Sequence, residues 1–210
     1  MIQVVIIANF KSLENIVLLL DKFNCLVGMN GAGKSTILQA FDLLAQLMHG
    51  NVDQWLKARG WVSKDLYCQV GDSHVAHRSI VLTVALRLDD GRKLTWLGTF
   101  KRGSMRLFSE EVSLANEQIL VVLNNKCSLL SRSYIITQDY TGSILASLKD
   151  SLLSPELKTL RDTIRNIRSL ELLSPHLLRK RSRAQDKDIG AGGEKLSGFL
   201  ATLKGEQKAQ

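Results

Sequence analysis

A short run of residues near the N-terminus has the types and the spacing to bind phosphate. Gly28 to Thr36 read Gly-Met-Asn-Gly-Ala-Gly-Lys-Ser-Thr, which matches the phosphate-loop pattern G-x-x-x-x-G-K-[ST] at every fixed position. Glycines let backbone N–H groups converge on phosphate oxygens, Lys34 adds charge for the β- and γ-phosphates, and Ser35 offers a hydroxyl to Mg²⁺. The sequence therefore predicts a site for ATP and Mg²⁺. The candidate binding residues are Gly28, Asn30, Gly31, Ala32, Gly33, Lys34, Ser35 and Thr36, with Ser35 also a metal ligand and Thr36 placed beside the α-phosphate.

Two elements must flank this loop for it to work. A strand has to deliver it and a helix has to follow it, because a helix N-terminus presents unpaired N–H groups and a positive dipole end to the phosphates. The apolar residues within Asn24 to Val27 predict the strand. After the loop, apolar residues recur every three or four positions up to Gly50, which predicts an amphipathic helix. They are Ile37, Leu38, Phe41, Leu44, Leu47 and Met48.

The composition is typical of a globular protein outside the membrane. The chain has 210 residues, 45% hydrophobic and 23% charged, and no apolar run approaches the roughly 20 residues of a membrane span. The N-terminus lacks the features of a secretory signal, and three cysteines at unrelated spacings favour a reducing compartment. We therefore expect a cytoplasmic protein with no membrane partner. The net charge of +8, concentrated after residue 150, is compatible with a polyanionic partner.

The remaining elements divide the chain into two parts. Before residue 150 the pattern is mainly that of strands, predicted at residues 2 to 7, 16 to 20, 119 to 123 and 134 to 137, with a hairpin at residues 79 to 100 that turns at Asp90 and Gly91. Residues 51 to 78 show no sustained period. Near residue 150 the pattern becomes helical again, up to a last helix near residues 194 to 203. We predict a phosphate-loop lobe at residues 1–150 and a basic helical arm at residues 151–210.

The first helix of the predicted arm has an apolar stripe and a basic face. Ser154 and Pro155 suit its N-cap and first position, and the stripe consists of Leu157, Leu160, Ile164 and Ile167. The basic residues Lys158, Arg161, Arg165 and Arg168 follow at spacings of three and four, which places them on one face. Two interpretations stay open for this face: a surface that binds DNA phosphates, and an ordinary solvated helix face.

The loop and the residues before it resemble one group of phosphate-loop ATPases. Asn30, the Ser35-Thr36 pair and the earlier run Asn9-Phe10-Lys11-Ser12-Leu13 resemble the N-terminal part of ABC-type, AAA-family ATPases of the RecF, SMC and OLD group. The resemblance implies an α/β phosphate-loop NTPase fold, with the N-terminal lobe of an ABC-type head, an antiparallel β-subdomain and a partial helical arm. It implies a nucleotide contact for Lys11. It also implies that Gln138 is the Q-loop glutamine, which touches Mg²⁺ and senses the γ-phosphate. DNA maintenance or phage defence is the implied process.

Hydrolysis by ATPases of this type needs motifs that the sequence does not show. They are a signature loop, an apolar strand that ends in Asp-Glu, and a switch histidine. The nearest matches are Val84 to Asp90, whose alternation indicates a half-exposed hairpin strand, and Leu196-Ser197-Gly198, which Phe199 interrupts. We therefore expect an incomplete ATPase with unknown catalytic residues and weak hydrolysis alone. A homodimer partner, a partner chain or the remainder of a longer chain would then supply the signature and acidic motifs.

Other functions stay open at this stage. The chain could be a non-catalytic truncated remnant, or a nucleotide-binding module for interactions. A small-molecule kinase also opens with a phosphate loop, although it would not begin with the Asn-Phe-Lys-Ser-Leu run. A GTPase is disfavoured because Asn125-Lys126 is followed by Ser128 where the guanine-binding carboxylate belongs.

Overall fold

Strands make up most of the regular structure. The computed structural model describes residues 1–68, 79–101, 106–169, 189 and 194–202, which belong to two compact units, Met1–Ile167 and Arg168–Gln210. The strands of the first unit are β1 (Ile2–Phe10), β2 (Leu13–Leu19), β3 (Ile80–Arg87), β4 (Lys93–Phe100), β5 (Leu107–Leu114), β6 (Glu117–Leu123), β7 (Lys126–Leu129) and β8 (Arg132–Ile135). Its helices are α1 (Lys34–His49), α2 (Val52–Ala58), α3 (Ile144–Ser147) and α4 (Pro155–Arg165), with 3-10 helices at Ser63–Leu66 and Asp150–Leu152. In the second unit α5 spans Leu196–Thr202. No described helix is both long and apolar enough to cross a membrane.

A single antiparallel sheet is the framework of the first unit. Its strand order is β2-β1-β3-β4-β5-β6-β7-β8. Every pair of adjacent strands except β1 and β3 is also consecutive in sequence, so short turns make most of the connections. The predicted hairpin is confirmed, because β3 and β4 pair from Ile80 opposite Phe100 to Arg87 opposite Lys93.

The core lies between one face of this sheet and the helices. Side chains alternate between the two faces of a strand, and the residues that point to the helices are fully buried, such as Val5 and Ile7 in β1 and Trp96 in β4. Helix α1 contributes the other side of the same core. Its buried residues are Ile37, Ala40, Leu43, Leu44, Ala45, Leu47 and Met48. Burial of this apolar face holds the helix, and with it the loop at its N-terminus, against the sheet.

The strand predicted before the phosphate loop is absent. Residues 20 to 29 have no regular structure, and Val27 is 90% exposed. The chain turns at Asp21, whose side chain accepts from the Lys22 N–H at 2.7 Å, and no described strand then runs beside residues 24 to 27. A strand needs a neighbour for its backbone hydrogen bonds, so apolar composition alone does not form one here.

The described architecture therefore departs from the predicted α/β pattern. All neighbouring strands are antiparallel, and the only parallel pairing among the described residues is an isolated bridge between Arg106 and Gly142. The antiparallel β-subdomain expected from the resemblance is present. The parallel layer that would hold the strand before the loop is not formed by the residues described.

Helix α4 does not form a separate arm. Ser154 caps it and Pro155 occupies its first turn, as predicted, and Leu157, Leu160 and Ile164 are buried. These side chains pack with α1 inside the first compact unit, which ends at Ile167 and not at residue 150. Ile167 lies after the helix and is only partly buried.

Candidate functional site

The phosphate loop ends where α1 begins, and glycine is required at that junction. Gly33 is the N-cap residue and has a left-handed φ of 88°. A Cβ at this position would lie 3.2 Å from Leu13 Cδ2 and 3.5 Å from Ser12 Oγ, so the turn between β1 and β2 packs directly against the loop. Gly31 is also left-handed, with φ of 83°. The fixed glycine at the end of the motif therefore has a steric cause that is visible in the fold.

The first turn of α1 is open to a ligand. No side chain caps its N-terminus, and it carries no acidic residue. The unpaired N–H groups of a helix N-terminus attract anions, and a carboxylate in this turn would oppose a phosphate. Both features favour phosphate binding at this end of α1.

The Lys34 side chain folds back over the loop. Its Nζ donates to the carbonyl oxygens of Gly28 and Met29, each at 2.7 Å. The ammonium therefore lies inside the curve of the loop, close to where phosphate oxygens would lie. These are the loop's own acceptors, so phosphate would compete with them for Lys34.

Two hydroxyls lie beside the first turn of α1. Ser35 is exposed, so its hydroxyl faces solvent. The Ser12 hydroxyl donates to Thr36 Oγ1 at 3.1 Å, which ties the turn between β1 and β2 to α1. Ser35 can thus approach a metal ion, whereas Thr36 is held by the fold.

Lys11 lies beside α1 but does not point into the loop. Its Nζ donates to Gln39 Oε1 at 3.0 Å and lies 3.1 Å from the centre of the Trp61 ring. Its backbone is left-handed, with φ of 50°, and its N–H donates to the Leu66 carbonyl at 2.9 Å. Its partner Gln39 follows Lys34 by five residues, which is about 7.5 Å along the axis of α1.

An aromatic and ionic cluster surrounds Lys11, and the sequence pattern did not reveal it. Trp55 and Trp61 meet edge to face with ring centres 5.5 Å apart. Asp42 of α1 accepts from Trp55 Nε1 and from Arg59, both at 2.7 Å. The residues come from α1, α2 and the loop after α2, and the sequence after α1 has no sustained period. The only sequence signal was two tryptophans six positions apart next to Arg59.

Gln138 is not brought to the phosphate loop. It lines an apolar cavity of about 230 Å³ beside α3, together with Tyr134, Leu148 and Leu152. The next residue, Asp139, shares a second cavity with His49 at the C-terminal end of α1. A helix the length of α1 spans about 24 Å, so Gln138 and Lys34 lie near opposite ends of it.

The predicted basic face of α4 is not a continuous cationic surface. Arg161 is only 5% exposed and donates to Asp150 at 2.6 Å and to Asp162 at 2.8 Å. Arg165 donates to the Met48 carbonyl of α1 at 3.1 Å. The guanidinium of Arg161 lowers the pKa of Asp150, as expected for an ion pair. Lys158 is partly exposed, so within α4 the two arginines of this face are held by partners of the first unit while the lysine is not fully exposed.

The nearest matches to the missing motifs are parts of other elements. Val84 to Arg87 lie in the hairpin strand β3, and Asp90 after it is held by Arg92 at 2.6 Å. Leu196 to Gly198 begin the helix α5. Asn125 lies in the turn between β6 and β7, where its side chain accepts from Arg106 at 2.6 Å. Within the first unit, the described side-chain partners of Asp90 and Asn125 are Arg92 and Arg106, not Lys34 or Ser35.

Comparison with known proteins identifies a related family. The family model described as an AAA ATPase domain matches residues 1–182. A solved structure from a study of ATP-driven dimerization and DNA-stimulated activation of SMC ATPases is 17% identical, with 56% of this chain and 70% of that chain covered and a TM-score of 0.41. No curated protein matches the chain significantly.

Proposed function

The chain belongs to the AAA ATPase domain family, and we propose that it binds ATP with Mg²⁺ at the loop from Gly28 to Thr36. The family assignment made from the loop and the Asn-Phe-Lys-Ser-Leu run is thereby confirmed. One observation carries the proposal of a working site. Gly33 is the N-cap residue of α1, so no side chain occupies the N–H groups of the first turn, and the Lys34 side chain folds back over the preceding loop. That arrangement is suited to surround a phosphate chain with N–H donors and one ammonium.

The residues of the site have separate roles in this proposal. Backbone N–H groups from Gly31 to Ser35 hold the phosphates, and Lys34 exchanges its two carbonyl partners for phosphate oxygens. The exposed Ser35 hydroxyl is a suitable Mg²⁺ ligand, because Mg²⁺ in nucleotide sites takes few protein ligands and completes its shell with phosphate oxygens and waters. A nucleotide contact for Lys11, as the family resemblance implies, would require its ammonium to leave Gln39. Gln138 has no role here because of its position.

Hydrolysis is proposed to need another element. A nucleophilic water requires a positioned base, and Mg²⁺ in phosphate-loop enzymes has a second, acidic partner. No group of three or more metal-binding side chains occurs among the residues described. We propose that a second copy, a partner chain or the remainder of a longer chain supplies these groups. The proposed process, DNA maintenance or phage defence, depends on the resemblance of the Asn-Phe-Lys-Ser-Leu run.

A second candidate is a nucleotide-binding or inert remnant without turnover. The observation that favours it is the unformed strand before the loop, where Val27 is 90% exposed. A loop without its supporting strand is less well fixed for catalysis. Detectable binding without turnover in any complex would favour this alternative.

The proposal is tested by calorimetric titration of the full chain with ATP and Mg²⁺. Lys34→Ala should weaken binding at least about tenfold, since it removes a charge-assisted contact to phosphate. Lys57→Ala is a matched control, because Lys57 is an exposed lysine of α2 whose side chain pairs with Asp53, at 2.6 Å. Equal affinity in wild type and Lys34→Ala would exclude the loop as the phosphate site.

The metal assignment needs its own variant. Ser35→Ala should reduce the gain in affinity that Mg²⁺ provides and leave binding of ATP in the presence of a chelator unchanged. A Ser35→Ala chain with the full Mg²⁺ effect would show that the ion is held elsewhere.

A further inference from the structure

The two edges of the sheet differ in protection. β8 is four residues long and begins with Arg132. β2 is seven residues long, and its residues after Glu14 include no charge and no proline. Natural sheets protect an edge with charges, proline or a very short strand, because an open edge pairs readily with another chain. β2 has none of these protections beyond Glu14.

The backbone groups on the outer side of β2 can be assigned from its pairing with β1. The Leu20 N–H donates to the Gln3 carbonyl at 2.8 Å, which makes these two residues a hydrogen-bonded pair. Along an antiparallel ladder, hydrogen bonds to one side alternate from residue to residue. Ile16 and Leu18 therefore bond to β1, whereas Asn15, Val17 and Leu19 direct their N–H and C=O groups outward. Among the described residues, no backbone group forms a hydrogen bond with these outward N–H and C=O groups.

An apolar strip reaches this same edge on the face of the sheet away from the helices. Val17 is 57% exposed and Leu19 is 77% exposed. They lie opposite Ile6 and Val4 of β1, which are only partly buried. A solvent-facing strand surface normally carries polar side chains. The open edge and the exposed apolar strip are therefore parts of one surface.

We propose that β2 pairs with β2 of a second copy of this chain, antiparallel across a twofold axis. A strand that pairs antiparallel with itself makes a self-complementary contact, as a closed dimer requires. The favoured register places Leu18 at the axis and Val17 opposite Leu19 of the second copy, so the outward backbone groups meet. In this register the apolar run from Ile16 to Leu20 lies opposite the same run of the second copy.

Neighbouring registers are worse. A shift by two residues in one direction places Glu14 opposite Leu20, and a shift in the other direction places Val17 opposite Asp21. Each shift opposes a charge to an apolar side chain and shortens the apolar run that is paired with itself. The joined sheet would be continuous through both copies. The dimer does not depend on nucleotide, so its test is independent of the proposed function.

Cysteine cross-linking tests the register. In the full chain with the exposed Cys25 replaced by serine, Leu18→Cys should form a disulfide-linked dimer on oxidation. Directly opposed residues that are not hydrogen-bonded have Cα atoms about 4.5 Å apart, which a disulfide can span. Val17→Cys should stay monomeric on a non-reducing gel, because the two copies of residue 17 lie on a diagonal beyond about 7 Å. Cross-linking of Val17→Cys and not of Leu18→Cys would overturn this register.

Sedimentation without nucleotide tests the dimer itself. The wild type should have twice the mass of one chain, and Val17→Lys should have the mass of one chain. The matched control is Leu123→Lys, because Leu123 is 46% exposed on the same face but lies on the interior strand β6. A single-chain mass for the wild type at every attainable concentration, or a dimer indifferent to Val17→Lys, would overturn the proposal.

Discussion

Glu110 is a carboxylate inside the core, and its hydrogen bonds explain its presence there. It is 1% exposed on β5 and accepts from Trp96 Nε1 at 2.7 Å and from the Ile144 N–H at 2.8 Å, as well as from the Ser143 hydroxyl. All three partners are donors, and they belong to β4 and to the start of α3. The carboxylate of β5 therefore links these elements through hydrogen bonds. Burial raises the pKa of Glu110, while the three donors act against that shift.

The raised pKa of Glu110 makes stability depend on pH. A group whose pKa is higher in the folded protein contributes stability that is fully present below its unfolded value, near 4.5, and is lost as the pH rises through the folded value. Glu110→Gln keeps an acceptor and removes the ionisation. The difference in unfolding free energy, Glu110→Gln minus wild type, should therefore increase as the pH rises from acid towards neutral.

Urea unfolding of both proteins across that pH range measures the difference. The nearby titratable groups do not interfere, because burial raises the pKa of Cys127 to about 11 and that of Tyr140 to about 12. A constant difference in unfolding free energy between the two proteins would contradict a raised pKa for Glu110.

Residue types identify the phosphate-loop motif but say little about what surrounds it. The loop from Gly28 to Thr36 was recognisable because its geometry requires particular residues at fixed spacing. The contacts of Lys11 with Trp61 and Gln39 depend on three separate segments that only the fold brings together. Gln138 was assigned from its place after a predicted strand, and sequence order carries no information about which end of α1 that strand reaches.

At the scale of elements, the backbone at Gly142 packs directly against α1, just before the chain enters α3. The Gly142 carbonyl accepts from the Leu107 N–H at 3.0 Å, and the next residue, Ser143, donates its N–H to the Leu47 carbonyl of α1 at 2.9 Å. Gly142 has a φ of 72°, and a Cβ there would overlap the Leu47 carbonyl oxygen and lie 3.0 Å from Leu47 Cα. The backbones therefore approach too closely for any side chain.

Gly142→Ala should destabilise the protein more than Gly91→Ala. Gly91 has a similar φ of 87° in the β3–β4 turn, and a Cβ added there would meet no atom within 4 Å. Gly91→Ala thus measures the cost of the left-handed backbone, about 1–2 kcal/mol. Gly142→Ala adds the overlap with α1, which should cost about 1–3 kcal/mol more. Equal losses of unfolding free energy in urea would mean that the backbones can separate without cost.

The elements that the sequence predicted are those with a clear period and a clear stop signal. Helix α1 ends at Gly50, helix α4 starts at Ser154, and the β3–β4 hairpin turns at Gly91, each as predicted. Strand β5 was missed because Glu110 and Glu111 interrupt its apolar alternation, although Glu110 is buried. Helix α2 was missed because seven residues are too few to establish a period. The strand before the loop was overpredicted because pairing partners cannot be read from a single segment.

On the scale of the whole molecule, the segment that leads into the phosphate loop is open to solvent. Phe23, Val27 and Met29 are each at least 85% exposed, and Leu38 on the outer side of α1 is 45% exposed. Apolar side chains this exposed in one stretch contribute little to the fold of the chain alone. An added layer would bury these side chains, which are close in sequence to the residues proposed to bind phosphate.

Val27→Ala and Val84→Ala compare this open side with the core by the same chemical change. Val84 is fully buried in β3, so its truncation should cost about 2 kcal/mol of unfolding free energy, from lost burial and the cavity left behind. Val27→Ala should stay within about 0.5 kcal/mol of the wild type, as surface substitutions do. If Val27→Ala cost as much as Val84→Ala, residues 24 to 27 would already be packed in the isolated chain. The proposed need for a completing element would then lose its structural basis. Val27→Ala could instead cost little in the isolated chain and as much as Val84→Ala once a completing polypeptide is bound. That result would locate the polypeptide against residues 24 to 27, next to the phosphate loop.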